Sequence, residues 1–349
     1  MKKYLPYLVV IVLLAGAAIW YKVYNSPEAI KDREGDFAYA QTEDIYSIIM
    51  TSSDGRKIDL KRNGDKWKVN DKYDARPDLI QHLFEAFGTM TSLAPVPGSA
   101  HDNVIRDLMN NSVTVELRDK SGDLLKSYMV GGATVDGENT YMLNMVNGKP
   151  ASRPHMVYIP GFHGSLLPRF EMDEEVWRVR TVYGDNYTGS GFMWLKVDYP
   201  ANPENSFSVS RVAPNVDSFK VEPLDAKYAI DQPYKQKYVR QYVSFFNNVS
   251  IEAYDNTNSH KDSIMQTTPY CMIITGSDMS YHDTTKLYYM PINKRSKAQY
   301  DLAGKELTYD IDRYYASINN GKDFAIVQYY VFGKLLRNYK DFFFKPEKK

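Results

Sequence analysis

The chain has 349 residues, of which 43% are hydrophobic and 14% aromatic, and its 43 basic residues balance 43 acidic ones. This much apolar material excludes global disorder, and a net charge of zero offers no basic face, so we expect no nucleic-acid partner. Cys271 is the single cysteine, which excludes an intrachain disulfide and a cysteine-based structural zinc site.

The N-terminus carries the pattern of a transmembrane anchor. Lys2 and Lys3 precede an uncharged run over residues 4–21, and Lys22 closes it. As a helix this run rises about 27 Å, close to the thickness of a hydrocarbon core, and the paired lysines favour a cytoplasmic N-terminus. We therefore expect residues 1–24 to anchor the chain in a bacterial inner membrane, with its bulk in the periplasm. The alternative is a cleaved signal peptide, since small residues lie within the run.

Residues 25–43 are polar and charged, which is typical of a stalk. Short alternating strands follow, and Asn63-Gly64 between two of them predicts a hairpin. Pro77 suits a first helical turn, and the apolar spacing continues on one helical face to Phe87. We assign residues 44–185 to a first α+β module.

The second half of the chain repeats this order over residues 186–349. A helix from Tyr238 to Phe246 has the same apolar spacing as the first one. The segments that end at Asn147-Gly and Asn320-Gly also echo each other. We interpret the halves as two similar modules of antiparallel β-sheet with packed helices, an α+β class. The alternative is chance recurrence of common hairpins and helix stripes.

No dinucleotide, phosphate-loop, zinc-protease or nucleophile-elbow motif occurs, and we predict no cofactor. The candidate site is a cluster of four residues: His155, His163, Arg169 and Asp173. Ser165 beside His163 could act as nucleophile and base with Asp173 as orienter, or the two histidines could bind a metal with a carboxylate. The alternative is a Pro-Gly-Phe turn that leaves the histidines on a surface rim.

Tyrosine is abundant, with 29 residues. Tyr228, Tyr234, Tyr238 and Tyr242 lie close together in the sequence, and aromatic faces can stack on sugars. Because Tyr238 and Tyr242 also belong to an apolar helical stripe, the alternative is a core position for this group.

Several segments resemble one family. They are the opening Met-Lys-Lys-Tyr-Leu-Pro-Tyr and the segments Trp67 to Pro77, Asn103 to Leu108, Tyr158 to Phe162 and Trp177 to Thr181. In these segments the chain resembles uncharacterised single-pass envelope proteins of Bacteroidetes that accompany gliding-type ABC transporter subunits. The resemblance implies permease or ATPase subunits as partners, and it carries no catalytic residues because the family is a domain of unknown function.

Three functions follow as hypotheses. The first is a non-enzymatic, membrane-anchored accessory or scaffold of an ABC-type transport system. The second is an extracytoplasmic module that binds glycan or cell wall. The third is a hydrolase or metalloenzyme centred on the region from His155 to Asp173.

Overall fold

The computed structural model describes residues 5–24, 33–146, 148–184, 193–214, 216–277 and 282–343. Contacts divide the chain into two compact units, Met1–Val179 and Arg180–Lys349. The predicted module boundary, between residues 185 and 186, lies outside the described residues.

The described ranges hold helices α1 (Leu5–Tyr24), α2 (Pro77–Thr89), α3 (Gly98–Asn111), α4 (Glu174–Trp177), α5 (Gln236–Ser244), α6 (Lys261–Gln266) and α7 (Tyr329–Phe332). The strands of the first unit are β1 (Ser47–Ser52), β2 (Lys57–Asn63), β3 (Lys66–Val69), β4 (Tyr73–Asp74), β5 (Thr91–Pro95), β6 (Val113–Arg118), β7 (Leu124–Ala133), β8 (Thr140–Val146), β9 (Lys149–Pro150) and β10 (His155–Tyr158). The strands of the second are β11 (Thr181–Tyr183), β12 (Trp194–Asp198), β13 (Phe207–Arg211), β14 (Phe219–Pro223), β15 (Val249–Ser250), β16 (Ala253–Tyr254), β17 (Cys271–Gly276), β18 (His282–Pro291), β19 (Tyr309–Ile318) and β20 (Asp323–Gln328).

The fold is mostly antiparallel β-sheet with a few helices, which corrects the predicted α+β class with a leading transmembrane helix. The physical reason lies in the dominant pattern of the sequence. Apolar and polar residues alternate in strands such as β6, where Val113, Val115 and Leu117 are buried between half-buried polar neighbours. Such alternation gives each strand one core-facing side and leaves few segments for helices.

The expected membrane anchor is also contradicted. Among the described residues, no helix is both long and apolar enough to cross a membrane. The predicted span over residues 4–21, with the single-pass inner-membrane placement that depended on it, is therefore wrong.

The stalk predicted for residues 25–43 falls partly outside the described residues, which resume at residue 33. From there the chain packs into the first unit. The Phe37 side chain is buried in the core, and the Glu34 carboxylate accepts hydrogen bonds from the Ser152 backbone and hydroxyl. At least this part of the segment is thus integral to the folded unit.

The sheet of the first unit has the strand order β4-β3-β2-β1-β6-β7-β8-β10-β5, and β9 pairs with β8. The hairpin predicted at Asn63-Gly64 is confirmed, because β2 and β3 pair there and Gly64 has the positive φ that such a turn requires. The predicted first helix is α2, whose Ile80, Leu83 and Phe87 are buried in the core.

The sheet of the second unit has the order β14-β13-β12-β17-β18-β19-β20-β16. The predicted second helix is α5, and it buries Val239 and Tyr242. The Tyr242 ring packs edge-on against Phe207 and Phe342, with centroids 5.5 and 5.4 Å away. An aromatic core therefore holds the helix and the C-terminal segment against the sheet.

The two sheets follow one connection scheme. The order β3-β2-β1-β6-β7-β8-β10-β5 in the first unit matches β14-β13-β12-β17-β18-β19-β20-β16 in the second, strand for strand along the chain. Several matching connections differ in length, and one of these differences bears on the surface of the second unit. The link between β7 and β8 covers residues 134–139, whereas the link between β18 and β19 covers residues 292–308.

Candidate functional site

His155 is a buried residue of β10, with only 5% of its surface exposed. Its Nδ1 lies 2.7 Å from the Ser92 hydroxyl of the neighbouring strand β5, and the Phe37 ring packs against the imidazole with centroids 5.8 Å apart. Burial lowers the pKa of His155, and the charge of Arg153 adds to this, while Glu34 acts in the opposite direction. His155 is therefore a neutral histidine whose hydrogen bond to Ser92 joins β10 to β5.

The pair Ser92 and His155 does not extend into a catalytic triad. An activated serine needs a base that is oriented by a third group. The nearest candidate for that role is Glu34, but its carboxylate binds the Ser152 backbone N–H at 2.6 Å and the Ser152 hydroxyl at 3.0 Å. The described hydrogen bonds therefore give this pair a structural role.

The other three residues of the predicted site have separate local partners. His163 is exposed and lies 2.9 Å from the Glu138 carboxylate through Nδ1. The Arg169 guanidinium donates to the carbonyl oxygen of His82 at 3.1 Å and lies 4.8 Å from the centre of the Phe162 ring. The third residue caps a helix.

Asp173 precedes α4 and accepts a hydrogen bond from the backbone N–H of Glu175 at 2.9 Å. This is ordinary N-capping of a short helix. Within the described hydrogen bonds, His155, His163, Arg169 and Asp173 share no partner. No group of three or more His, Cys, Asp or Glu residues that could hold a metal ion occurs in the described part of the chain. The enzyme hypothesis for this region remains a prediction without a common geometry behind it.

The tyrosines predicted as a sugar platform belong largely to the core. Tyr242 is buried, and its hydroxyl donates to the carbonyl oxygen of Leu335 at 2.9 Å. The Tyr234 hydroxyl donates to the carbonyl oxygen of Phe219 at 3.1 Å. Tyr238 packs half-buried against the same core. The apolar-stripe alternative therefore describes these residues.

A different set of tyrosines lines a cavity of about 750 Å³ in the second unit, where β18, β19 and α7 meet. We call this cavity the tyrosine groove. Its aromatic residues are Tyr289, Tyr309, Tyr314 and Tyr329. Tyr289 is 45% exposed and Tyr309 is 46% exposed, which is unusual for two rings in mutual contact.

Strand register brings these rings together. Tyr289 of β18 lies opposite Tyr314 of β19, and the register then shifts between Tyr289 and Pro291, which pairs with Tyr309. A shift of this kind is a β-bulge, and bulges redirect side chains at sheet ends and near binding sites. As a result the Tyr289 and Tyr309 rings stack, with centroids 4.7 Å apart and planes 24° apart.

A second aromatic layer supports the exposed pair. Tyr314 stacks on Tyr270 with ring centroids 5.4 Å apart, and Tyr270 also lies 4.8 Å from Tyr289. Burial raises the pKa of Tyr270 to about 12, and it raises the pKa values of Tyr314 and Tyr289 as well. These phenols therefore stay neutral at physiological pH and can both donate and accept hydrogen bonds.

Charged residues also contribute to the lining, together with Leu307, Thr308 and Ile311. Four carboxylates and one lysine contribute, which gives a formal charge of −4 + 1 = −3. Asp310 is buried, accepts from the Ser296 hydroxyl at 2.7 Å, and accepts from the backbone N–H of Asp312 at 2.8 Å. The lining carboxylates are Asp301, Glu306, Asp310 and Asp312, and the lysine is Lys305.

A second cavity, of about 600 Å³, lies in the first unit. Its lining mixes both signs of charge, with Glu43, Asp44, Arg62, Asp119 and Lys120, and Tyr46 is its one aromatic residue. The formal charges of this lining nearly cancel, and the described residues include no stacked ring pair there that offers a ligand a flat apolar face. The tyrosine groove is therefore the stronger candidate site.

The sequence does contain a signal for the groove. Tyrosine doublets occur at 288–289, 314–315 and 329–330. In a strand, consecutive side chains point to opposite faces, so a doublet puts one ring on each face. Tyr288 is accordingly buried while Tyr289 is half exposed. Three of the four groove tyrosines, Tyr289, Tyr314 and Tyr329, belong to these doublets, whereas Tyr309 does not.

No protein-family model matches this chain, and no curated protein or solved structure is significantly similar to it. The function therefore has to be argued from the geometry of the site alone.

Proposed function

We propose that the chain is a non-enzymatic carbohydrate-binding protein whose tyrosine groove holds a saccharide. The observation that carries the proposal is the stacked pair of half-exposed rings, Tyr289 and Tyr309, over a cavity lined by carboxylates. A sugar ring has an apolar C–H face that packs on an aromatic face. Its hydroxyl groups at the edge donate to carboxylates and exchange hydrogen bonds with phenols.

The size and rigidity of the groove support this proposal. Ligand pockets usually enclose about 300–1,000 Å³, so a cavity of about 750 Å³ has room for a short oligosaccharide. The Tyr314 and Tyr270 rings stack behind the exposed pair and limit its movement. A preformed aromatic surface loses little conformational entropy when the ligand binds.

The hypotheses drawn from the sequence relate to this proposal in different ways. Cell-wall polysaccharide is one member of the proposed ligand class. Association with permease or ATPase subunits of an ABC transporter remains a prediction, which none of the described contacts addresses. A membrane-anchored arrangement through residues 4–21 is no longer part of the proposal.

The test is binding of the purified full chain to an array of oligosaccharides, followed by titration calorimetry on the best ligand. Removing one stacking face with Tyr309→Ala exposes about 60 Å² of ligand apolar surface, worth about 1.5 kcal/mol or roughly tenfold in Kd. We therefore expect Tyr309→Ala to weaken binding about tenfold.

The matched control is Tyr330→Ala, which removes a ring that is 92% exposed and does not line the groove. We expect its Kd to equal that of the unmodified chain. An array on which no saccharide is retained would refute the proposal, and so would an equal loss of affinity in both variants.

A further inference from the structure

The tyrosine groove is negative as well as aromatic. Its lining carries four carboxylates against one lysine, and two of the acids belong to the long connection between β18 and β19. Those two are Asp301 and Glu306, while Asp310 and Asp312 lie at the start of β19. The acidic groups therefore come from two structural elements that meet at the same cavity.

Not all of these carboxylates are engaged by the protein. Asp301 accepts hydrogen bonds from the backbone N–H groups of Ala303 and Lys305, at 2.8 and 2.9 Å, which closes a turn. Asp310 is buried and bound to Ser296. For Glu306 and Asp312, by contrast, the described hydrogen bonds and ion pairs include none to the carboxylate. The Glu306 side chain is exposed, whereas Asp312 is half-buried, borders a second cavity beside Lys297 and Arg313, and helps to raise the pKa of Arg313.

Like the carboxylates, the aromatic faces favour a ligand that carries a positive charge. The face of a phenol ring is the negative part of its quadrupole, and a cation within about 6 Å of the ring centre is attracted to it. Tyr289 and Tyr309 are both about half exposed and border the same cavity as the carboxylates. A positively charged group in the groove would thus meet both kinds of attraction.

From this combination we infer that the groove selects a saccharide that carries a cationic amine, over neutral or acidic sugars of the same backbone. The inference rests on the proposed function, because it specifies the ligand class of the same site. A neutral sugar can still donate hydroxyl groups to the carboxylates. It lacks the attraction to a lining of formal charge −3, and an acidic sugar would be repelled by it.

The experiment compares two ligands with one backbone. Titration calorimetry on the full chain at pH 7 uses a hexamer of glucosamine, which is cationic, and a hexamer of N-acetylglucosamine, which is neutral. At 20 mM salt we expect the cationic hexamer to bind about tenfold more tightly. At 0.5 M salt, where the screening length shortens to about 4 Å, we expect the difference to fall to about twofold.

Each alternative outcome has a distinct meaning. If the neutral hexamer binds as tightly as the cationic one, the inference is overturned and carbohydrate binding stands. If neither hexamer binds at millimolar concentration, the proposed function is overturned together with the inference. If a lysine hexamer binds as tightly as the glucosamine hexamer, the site recognises charge alone and the saccharide assignment is overturned.

Variants connect the preference to the groove. The double variant Asp312→Asn with Glu306→Gln removes two carboxylates without changing side-chain size, so it should bring the cationic hexamer to the affinity of the neutral one. The matched control is Asp231→Asn with Glu204→Gln, two exposed acids of the same unit that do not line the groove. The inference fails if both double variants act alike, provided that thermal melting shows each to be folded.

Discussion

Gly131 of β7 is a position where a single added methyl group should destabilise the fold. It is buried at the bulge where the register between β7 and β8 shifts, and α3 passes directly over it. A Cβ atom at Gly131 would lie 2.6 Å from the Leu108 Cδ2 atom of α3 and 3.0 Å from the carbonyl oxygen of Tyr141. The first distance is far below van der Waals contact.

The surroundings of Gly131 cannot easily yield. Leu108 is itself buried, and the Tyr141 oxygen belongs to the backbone of β8. Overpacking of this kind destabilises the folded state by about 1–3 kcal/mol. The alanine also lowers the conformational entropy of the unfolded chain, which offsets about 0.4–1 kcal/mol of that loss. We expect Gly131→Ala to lower the free energy of unfolding by about 1–2 kcal/mol. In a unit of this size that corresponds to a Tm lower by roughly 2–8 °C.

Gly132→Ala is the matched control, because the adjacent position leaves room for the same methyl group. Its nearest neighbour would be the Asp107 carboxylate oxygen at 4.0 Å. We expect the control to be neutral or slightly stabilising. Urea unfolding followed by circular dichroism, with calorimetry for Tm, measures both variants. A Gly131→Ala protein as stable as the unmodified chain, or an equal loss in both variants, would refute the close approach of α3.

Two further predictions concern buried groups. Burial lowers the pKa of His155 below its ordinary value of 6.5, so the unfolded chain binds a proton more readily than the folded one. The contribution of neutral His155 to the free energy of unfolding is complete above pH 6.5 and is lost as the pH falls below it. The urea midpoint of His155→Gln should therefore drop less between pH 7.5 and 5 than that of the unmodified chain. Equal drops in the two proteins would contradict this prediction. Burial also raises the pKa of the Cys271 thiol. A disulfide reagent at pH 8 should therefore label Cys271 only after the chain unfolds. Rapid labelling of the native chain would contradict the buried position of Cys271.

Local signals predicted the elements that depend on local physics. The hairpin at Asn63-Gly64 follows from a turn that needs a positive φ, and α2 follows from Pro77 and an apolar stripe. In both cases the neighbouring residues determine the conformation, whatever the rest of the fold does. Such elements can be read from a single sequence.

The membrane anchor and the fold class failed for a different reason. The anchor was inferred from the length of an uncharged run, whereas no helix among the described residues is long and apolar enough to cross a membrane. The predicted α+β class combined antiparallel sheets with packed helices, yet α4 and α7 are single turns of four residues each. Apolar helical stripes and uncharged segments in a sequence do not show what share of the chain folds into β-sheet.

The residues of the predicted site were grouped because they are close in sequence. The described contacts give each of them a separate partner, and several of these partners are distant along the chain. His163 meets Glu138, and Asp173 caps the next helix. The groove, in contrast, joins residues from β18, β19 and α7, and only strand register brings these together.

Comparison of the two sheets explains why the groove lies in the second unit. Both sheets have a register shift near the end of matching strands, between Val130 and Ala133 in one and between Tyr289 and Pro291 in the other. In the first unit glycines occupy this position, a helix packs on them, and the connection over residues 134–139 is short. In the second unit tyrosines occupy it, and the connection over residues 292–308 adds acids to the rim. The same strand order thus carries a helix-covered surface in the first unit and an exposed aromatic one in the second. The proposed binding function therefore depends on the side chains and the connection, and the sheet supports them.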